Sequence, residues 1–154
     1  MSQPILTLTD INNNTLPVAQ FGVIDAGAQS GAFPIRIWNN INNAAGISDA
    51  INPSLTTKTY NGLDSGDSVQ NGVQVVQNQF IQVQCTSSGE TQYTPIGGPA
   101  GHLISDSPPA AGNPTPPPTI HSGNYAQCLL RAVVPTSATS GNINFLLRLF
   151  FSYS

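Results

Sequence analysis

Four side chains in this sequence could bind a soft metal ion or form a nucleophile with its base, namely Cys85, His102, His121 and Cys128. Structural zinc sites bring their ligands in close pairs such as Cys-x2-Cys, because one tight turn then presents two ligands together. The four residues here are widely separated, so their spacing predicts no metal site. Both cysteines fall in apolar strand patterns and are expected to be buried, which leaves a disulfide between them open. The histidines lie in loop-like segments and are expected to be solvated.

The acidic residues are equally poor candidates for catalysis. Asp64 and Asp67 form a local acidic pair, yet an EF-hand calcium loop needs more oxygen ligands and a terminal glutamate, so an Asx turn is the favoured interpretation. The glycine-rich stretch 97–101 lacks the lysine and the following helix of a phosphate-binding loop. A Cys-His nucleophile would need an exposed thiolate beside an imidazole. The sequence therefore predicts no enzyme, no catalytic residue and no cofactor.

Charged residues are scarce in this chain of 154 residues, which has four Lys or Arg, seven Asp or Glu and a formal net charge of −3. Charged residues usually make up about a quarter of a globular domain. Four basic side chains cannot supply the positive surface that a phosphate backbone requires, so nucleic acid is not an expected partner. A surface this poor in ions is more typical of a subunit held in an assembly than of a freely diffusing enzyme.

The length is typical of one domain, and we expect a single β-sandwich domain over residues 1–154. The sequence has no run of about 18 apolar residues, the length that a membrane-spanning helix requires. Its N-terminal segment, MSQPILTLTD, lacks the basic flank and the apolar stretch of a signal peptide. We therefore expect neither a membrane partner nor a secretion signal.

Short apolar runs separated by Gly, Pro and Asn predict an all-β fold. We expect a single antiparallel β-sandwich, immunoglobulin-like or jelly-roll, with about eight or nine strands. The Asn-Gly pairs at 61–62 and 71–72 are the strongest hairpin-turn signals, because both residue types tolerate positive φ angles. A weak helix signal covers 44–51. The predicted strands are Pro4 to Thr9, Val18 to Ile24, Pro34 to Asn39, Leu55 to Tyr60, Val73 to Val76, Phe80 to Cys85, Thr91 to Ile96, Ala126 to Val134 and Asn142 to Tyr153.

Residues 107–119 read SPPAAGNPTPPPT and predict a long proline-rich loop inside the domain. Proline removes backbone donors and favours extended, polyproline-like conformations. Two interpretations of this loop stay open. It is either an arm that lies across a neighbouring subunit or a mobile surface insertion between two strands.

The last two strand patterns predict a candidate interface. Even positions of 126–134 and odd positions of 143–151 are apolar, so we expect these strands to be central, paired with each other and buried on that face. Their opposite faces are also partly apolar, which is unusual for a solvated sheet face. Either the chain's own N-terminal segment or proline-rich loop covers them, or another subunit does. The candidate interface residues are Leu129, Arg131, Val133, Leu146, Arg148 and Phe150.

Two stretches resemble immunoglobulin-like sandwich modules. The first is QFGVI at 20–24, followed by AGAQS at 26–30 and IRIWNN at 35–40, which is similar to a Phe-Gly strand, a Gly-x-x-Ser turn and an apolar strand ending in Asn. The second is the C-terminal segment, where Val134-Pro135 and Gly141 precede a last strand, as in a closing hairpin. The resemblance implies a sandwich fold and is poorly specific for a role.

In its small size, scarce lysine, Asn- and Gln-rich turns and proline-rich loop, the chain resembles accessory proteins of tailed bacteriophage particles. Among them it is most similar to capsid decoration (cement) proteins. The resemblance implies a virion structural protein on the outer surface of the capsid, which binds and reinforces the major capsid lattice through non-covalent contacts. The implied partners are the major capsid protein or other virion proteins, and further copies of this chain in a dimer or trimer.

Two other structural or binding functions stay open, and the last alternative is a hydrolase on a sandwich scaffold, which an absence of converging titratable groups disfavours. A neck, tail or baseplate component would share this composition but assemble in rings. A carbohydrate or cell-surface binding module would place aromatic side chains such as Trp38, Tyr60, Tyr93 or Tyr125 on an exposed face. Because Trp38 lies in a strand with apolar neighbours, we expect it to pack in the core instead.

Overall fold

A computed structural model describes residues 1–16, 20–59, 61–64, 73–140 and 144–154. Over these residues antiparallel strands form two sheets that pack as a sandwich, which confirms the all-β fold class. One short helix and one 3-10 turn interrupt the strands. The described elements are β1 (Leu6–Thr9), β2 (Phe33–Asn39), β3 (Ala50–Thr59), α1 (Val73–Gln77), β4 (Ile81–Cys85), the 3-10 turn Thr86–Ser88, β5 (Thr94–Ile96), β6 (His102–Leu103), β7 (Thr119–Ile120), β8 (Asn124–Ala132) and β9 (Phe145–Ser152).

Strand β8 is at the centre of the five-stranded sheet, whose order is β1-β2-β8-β4-β5. It pairs antiparallel with β2 on one side and with β4 on the other. From Ala126 onward every second residue of β8 is fully buried, and the residues between them are half-buried. Successive side chains of a strand point in opposite directions, so this alternation separates a core face from an outer face.

The ten-residue strand β3 organises the second sheet. Its residues Ser54 and Leu55 pair both with β6 and with β9, so β6 and β9 lie on opposite edges of β3. The short strand β7 pairs with the beginning of β3. Among the residues that the structure describes, β9 pairs with β3 alone and is therefore an edge strand.

The core lies between the two sheets and is made of branched aliphatic side chains from both. Complete burial of one such side chain stabilises the fold by about 1.5–3 kcal/mol. Phe145, Leu147 and Leu149 of β9 pack against this core, as their odd positions predict. The fully buried aliphatic residues include Ile35, Ile37, Leu55, Val83, Ile96, Ile104, Ile120 and Leu130.

The prediction that the last two strands pair with each other is wrong. Strand β8 is central in the five-stranded sheet, whereas β9 pairs with β3 in the other sheet. Alternation along a strand determines which residues share a face, but it carries no information about the neighbouring strand. The two apolar faces therefore meet across the core instead of lying side by side.

Three further segments differ from the prediction. Residues 73–76 belong to α1 and not to a strand, because an apolar run this short suits either element. Residues 20–24, the described part of the strand predicted at 18–24, have no regular secondary structure. Residues 44–51 contain no helix, and β3 already begins at Ala50. All three misassigned segments are eight residues long or shorter, which is too short for a hydrophobic period to distinguish a helix, a strand and a loop.

The loop and turn predictions agree better with the structure. Residues 107–118 lack regular structure, as predicted for 107–119, and only Thr119 belongs to a strand, β7. The Asn-Gly pair at 61–62 forms a turn, and Gly62 has a φ of 80°. The pair at 71–72 lies outside the described residues. The hairpin-turn signal of glycine after asparagine is therefore correct at 61–62.

Asn39 connects the two sheets near the end of β2. Its side chain is completely buried and makes three hydrogen bonds to the backbone. The Nδ2 group donates to the carbonyl oxygens of Ser48 and Ile120, each at 3.0 Å. The Oδ1 atom accepts from the backbone N–H of Ile5 at 3.1 Å. One side chain therefore satisfies buried backbone groups from three distant segments.

Replacing Asn39→Ala is expected to lower the free energy of unfolding by about 3 kcal/mol, because three backbone groups lose a buried partner. Urea denaturation measures this change. The matched control is Asn12→Ala, whose side chain is exposed and whose loss is expected to cost less than about 0.5 kcal/mol. Equal stabilities of the two variants would contradict the role given to Asn39.

Candidate functional site

The outer face of the five-stranded sheet carries most of the aromatic and arginine side chains of that sheet. In β2 the buried residues Ile35 and Ile37 face the core, so Trp38 faces outward and is half-buried. The expectation that Trp38 packs in the core is therefore wrong. We refer to the outward residues Arg36, Trp38, Tyr93, Tyr125 and Arg131 as the aromatic face. Tyr60, the other aromatic candidate, lies outside the described residues.

Trp38 and Tyr125 form the first cluster of the aromatic face. They are directly opposite in the β2–β8 pairing, and their ring centroids are 4.7 Å apart with an interplanar angle of 47°. The Arg36 guanidinium lies 4.5 Å from the centroid of the Tyr125 ring, within the range of a cation–π interaction. The side-chain oxygen of Asn13 accepts hydrogen bonds from both Arg36 and Trp38, each at 3.1 Å. These contacts hold the three large side chains in one arrangement.

Arg131 and Tyr93 form the second cluster. The guanidinium carbon of Arg131 is 4.0 Å from the centroid of the Tyr93 ring. Its Nε donates a hydrogen bond of 2.8 Å to the side-chain oxygen of Gln82 on β4. Arg36 is bonded in the same way, since its Nε donates to Gln127 at 3.3 Å. Each arginine therefore stacks on a tyrosine and is oriented by a glutamine.

A shallow polar cleft of about 290 Å³ borders the aromatic face at Tyr125. The side chain of Asp106 is only 1% exposed. Its Oδ2 accepts hydrogen bonds from the backbone N–H of His121 at 2.7 Å and from the ring Nδ1 at 2.8 Å. Hydroxyl, amide and carboxylate groups therefore surround a space that is large enough for a small polar ligand. The cleft is lined by Thr86, Ser87, Asp106, Asn124, Tyr125 and Gln127.

The six candidate interface residues do not form one surface. Leu129 and Arg131 are outward positions of β8, and Val133 follows directly and bridges to Gln29. The other three are outward positions of β9, on the opposite side of the sandwich. The expected continuous face is wrong for the same reason as the expected pairing of β8 with β9. The β9 group consists of Leu146, Arg148 and Phe150.

The outer side of β9, together with the neighbouring Leu103, is the second exposed apolar surface, and we call it the β9 surface. Phe150 is 46% exposed and Leu103 is 48% exposed. Lys58 lies with its Nζ atom 5.6 Å from the Phe150 ring centroid and forms an ion pair with Asp64. The side chains of Phe150 and Leu103 border a groove of about 460 Å³. This surface is suited to contact with another apolar protein surface.

Cys85 and Cys128 are directly opposite on the adjacent strands β4 and β8. The backbone N–H and C=O of Cys85 both bond to Glu90, so this pair exchanges no backbone hydrogen bonds. Side chains approach most closely at such pairs, where the Cα atoms are about 4.5 Å apart. Both residues are completely buried thiols, as expected, and the disulfide left open by the sequence is not formed.

The two thiols are not equivalent. A hydrogen bond with the Cys128 thiol lowers the pKa of Cys85 to about 5, against the opposing effect of burial, and the Ser87 and Ser88 hydroxyls contribute in the same direction. The same bond and burial raise the pKa of Cys128. The Ser88 hydroxyl donates to the Cys85 sulfur at 3.0 Å. The pair can therefore hold one proton between two sulfur atoms.

The histidines differ from one another. His121 is exposed, as expected. His102 lies on β6 instead of in a loop, its side chain is only 18% exposed, and its Nε2 bonds to the carboxylate of Glu90. The expectation of a solvated His102 is therefore wrong. Within the described ranges no group of three or more His, Cys, Asp or Glu side chains is arranged to hold a metal ion.

Comparison with known proteins identifies no family for this chain, since no family model and no curated protein matches it. Among solved structures, a family 123 glycoside hydrolase from Clostridium perfringens aligns with 98% of this chain at 11% identity and a TM-score of 0.44. The aligned part is 25% of that enzyme's length. None of the helices in the described residues is long and apolar enough to cross a membrane.

The shared proton of the cysteine pair can be tested by titration. The lowered pKa of Cys85 means that its thiolate stabilises the folded state fully above pH 9.0, progressively less below it, and not below about pH 5. We expect Cys128→Ala to raise the pKa of Cys85, because the hydrogen-bond donor that lowers this pKa most is lost. Ultraviolet thiolate absorbance against pH measures this change.

The control for this titration is Cys128→Ser, which keeps a hydrogen-bond donor at the same position. It is expected to leave the Cys85 pKa nearer to its value in the unaltered protein. An alanine variant with an unchanged titration curve would show that Cys128 does not set the pKa.

Proposed function

We propose that the protein is a virion structural protein, a capsid decoration protein that binds the major capsid lattice from outside and reinforces it. It acts by adhesion and not by turnover. The observation that carries this proposal is the aromatic face, with its two tyrosine–arginine stacks and one tryptophan on a single side of a sheet. Tyr, Trp and Arg are the residues most enriched where binding energy concentrates in protein interfaces.

The order of the aromatic face favours tight binding. Immobilising a long side chain on binding costs about 0.5–1.5 kcal/mol. Arg36 and Arg131 already stack on tyrosines and donate to glutamines, so this cost is reduced before the partner arrives. An adhesive protein that must hold a lattice together gains affinity in this way without covalent chemistry.

The low net charge agrees with the same role. Among the described residues, Lys58 is paired with Asp64, and two of the three arginines are stacked on aromatic rings. With four basic and seven acidic residues and a formal net charge of −3, the chain has few charges for long-range attraction of a ligand. Contact would instead depend on apolar area and on shape, as it does in stable assemblies.

A neck, tail or baseplate position is a variant of this proposal, since such a component would use the same adhesive surfaces in a ring. The number of copies per particle separates the two positions. A decoration protein follows the symmetry of the capsid lattice, whereas a tail or neck component is present in the few copies of one ring. Quantitative mass spectrometry of purified particles measures this number.

Replacing Tyr125→Ala is expected to weaken attachment to the particle by about tenfold or more, since truncating a central aromatic side chain costs at least about 2 kcal/mol. Purified particles that lack the protein are mixed with each variant and sedimented, and the bound fraction is measured against concentration. Tyr153→Ala is the matched control, because Tyr153 is 51% exposed and follows β9, which belongs to the other sheet. The proposal is contradicted if neither the unaltered protein nor the control sediments with particles.

A second candidate function is favoured by the cleft beside Tyr125. Sugars bind where an aromatic ring meets amide, hydroxyl and carboxylate groups, because the ring covers the C–H face while the polar groups bond to the hydroxyls. Tyr125, Asn124 and Gln127 provide this combination. The protein would then be a carbohydrate or cell-surface binding module, which attaches a particle or a cell to a glycan.

Binding to a glycan array tests this second function. Asn124→Ala removes an amide of the cleft and leaves in place the two glutamines that orient Arg36 and Arg131, so it is expected to weaken glycan binding severalfold and to leave particle attachment nearly unchanged. Tyr125→Ala is expected to weaken both. An array with no bound glycan would exclude the carbohydrate function, and particle binding that depends on Asn124 as strongly as on Tyr125 would contradict this division of roles.

A further inference from the structure

We propose that two copies of this chain pair through their β9 strands, antiparallel and edge to edge, so that the sheets containing β3 join into one. Within the described part of the chain, β9 is an edge strand of eight residues that pairs with β3 alone. A long unprotected edge is a template for pairing with another strand. Two identical edges meeting about a twofold axis form a closed dimer.

The backbone N–H and C=O groups of successive β9 residues point alternately toward β3 and toward the free edge. The Thr57 carbonyl accepts from Gly98, and the Thr59 backbone groups bond within the following turn, so both residues point away from β9. Their neighbours Lys58 and Thr56 must therefore point toward β9, at Leu146 and Arg148. It follows that the odd residues of β9 direct their N–H and C=O groups outward.

Outward groups on the odd residues allow a symmetric ladder in which odd residues face odd residues. The twofold axis of this ladder can pass at Arg148 or at Leu149, and we call these two positions its centres. Each of them pairs almost the whole length of the strand. A centre at Arg148 places two arginines directly opposite each other, which is destabilising. A centre at Leu149 places Arg148 opposite Phe150 of the second copy, and the same pair occurs twice because of the symmetry.

The Leu149 centre is favoured by the side chains on both faces of the joined sheet. On the outer face, Arg148 and Phe150 are both exposed in one copy and become a cation–π pair between copies. They lie at a pair that exchanges no backbone hydrogen bonds, where side chains are closest. On the inner face Leu147 meets Phe151, which is 38% exposed in the single chain. The dimer thus covers the phenylalanines that the isolated chain leaves exposed.

Sedimentation velocity of the full chain over a range of concentrations tests this dimer. The unaltered protein is expected to be a dimer, and Phe150→Arg is expected to raise the dissociation constant by about tenfold or more, because Arg148 then faces a second arginine. The double exchange Arg148→Phe with Phe150→Arg restores one arginine opposite one phenylalanine. It is therefore expected to restore the dimer. If Phe150→Arg weakened the dimer only by unfolding the chain, the second substitution would not restore it.

Disulfide trapping tests the register with different variants. An Arg148→Cys chain mixed with a Phe150→Cys chain is expected to form an interchain disulfide on oxidation by oxidised glutathione, with the reduced tripeptide as the other product, whereas neither chain alone does so. Crosslinking of Arg148→Cys alone would move the centre to Arg148 and overturn the proposed register. The buried native cysteines do not compete.

A monomer at all concentrations, or an oligomer that Phe150→Arg and the double exchange leave unchanged, would overturn the proposal. The inference does not depend on the partner of the aromatic face, which lies on the other sheet. A monomeric chain that still binds particles would reject only the dimer, and a dimer that binds no particle would reject only the decoration role.

Discussion

The packing of the two sheets against each other is the constraint on which the rest of the structure depends. The inner positions of β2, β8 and β9 occupy every second residue and, apart from Asn39, are apolar so that they fill the core. The outward positions do not have to be apolar. On β2 and β8 they hold Trp38, Arg36 and Tyr125, which pack on one another, and on β9 they hold exposed apolar residues. The sandwich therefore presents the aromatic face and the exposed apolar residues of β9 on opposite sides.

Two opposite surfaces suit a subunit that joins partners. In the proposed role, the aromatic face is the contact for a different protein, and in the proposed dimer the β9 edge is the contact for a second copy. A dimer formed through β9 would carry two aromatic faces, so that it would contact a lattice at two points. Two linked weak contacts then bind far more tightly than either alone.

The sequence predicts those features that depend on local period and turn chemistry. The alternation along 126–134 identifies the buried residues of β8, and the same rule, applied to Ile35 and Ile37, would have placed Trp38 on the outer face. Strand partners depend on long-range packing, so the pairing of β9 with β3 and the position of Cys85 opposite Cys128 could not be read from the pattern. The cleft combines Asp106 from a loop with residues of the 3-10 turn and of β8, which are far apart in the chain, and it had no sequence signal.

Electron cryomicroscopy of purified particles that contain this chain tests the central claim most directly. The account predicts density for the sandwich on the outer surface of the capsid, with Trp38, Tyr125 and Arg131 buried against the lattice. Density in which these three side chains face solvent, or density for the chain only away from the outer surface of the capsid, would contradict it.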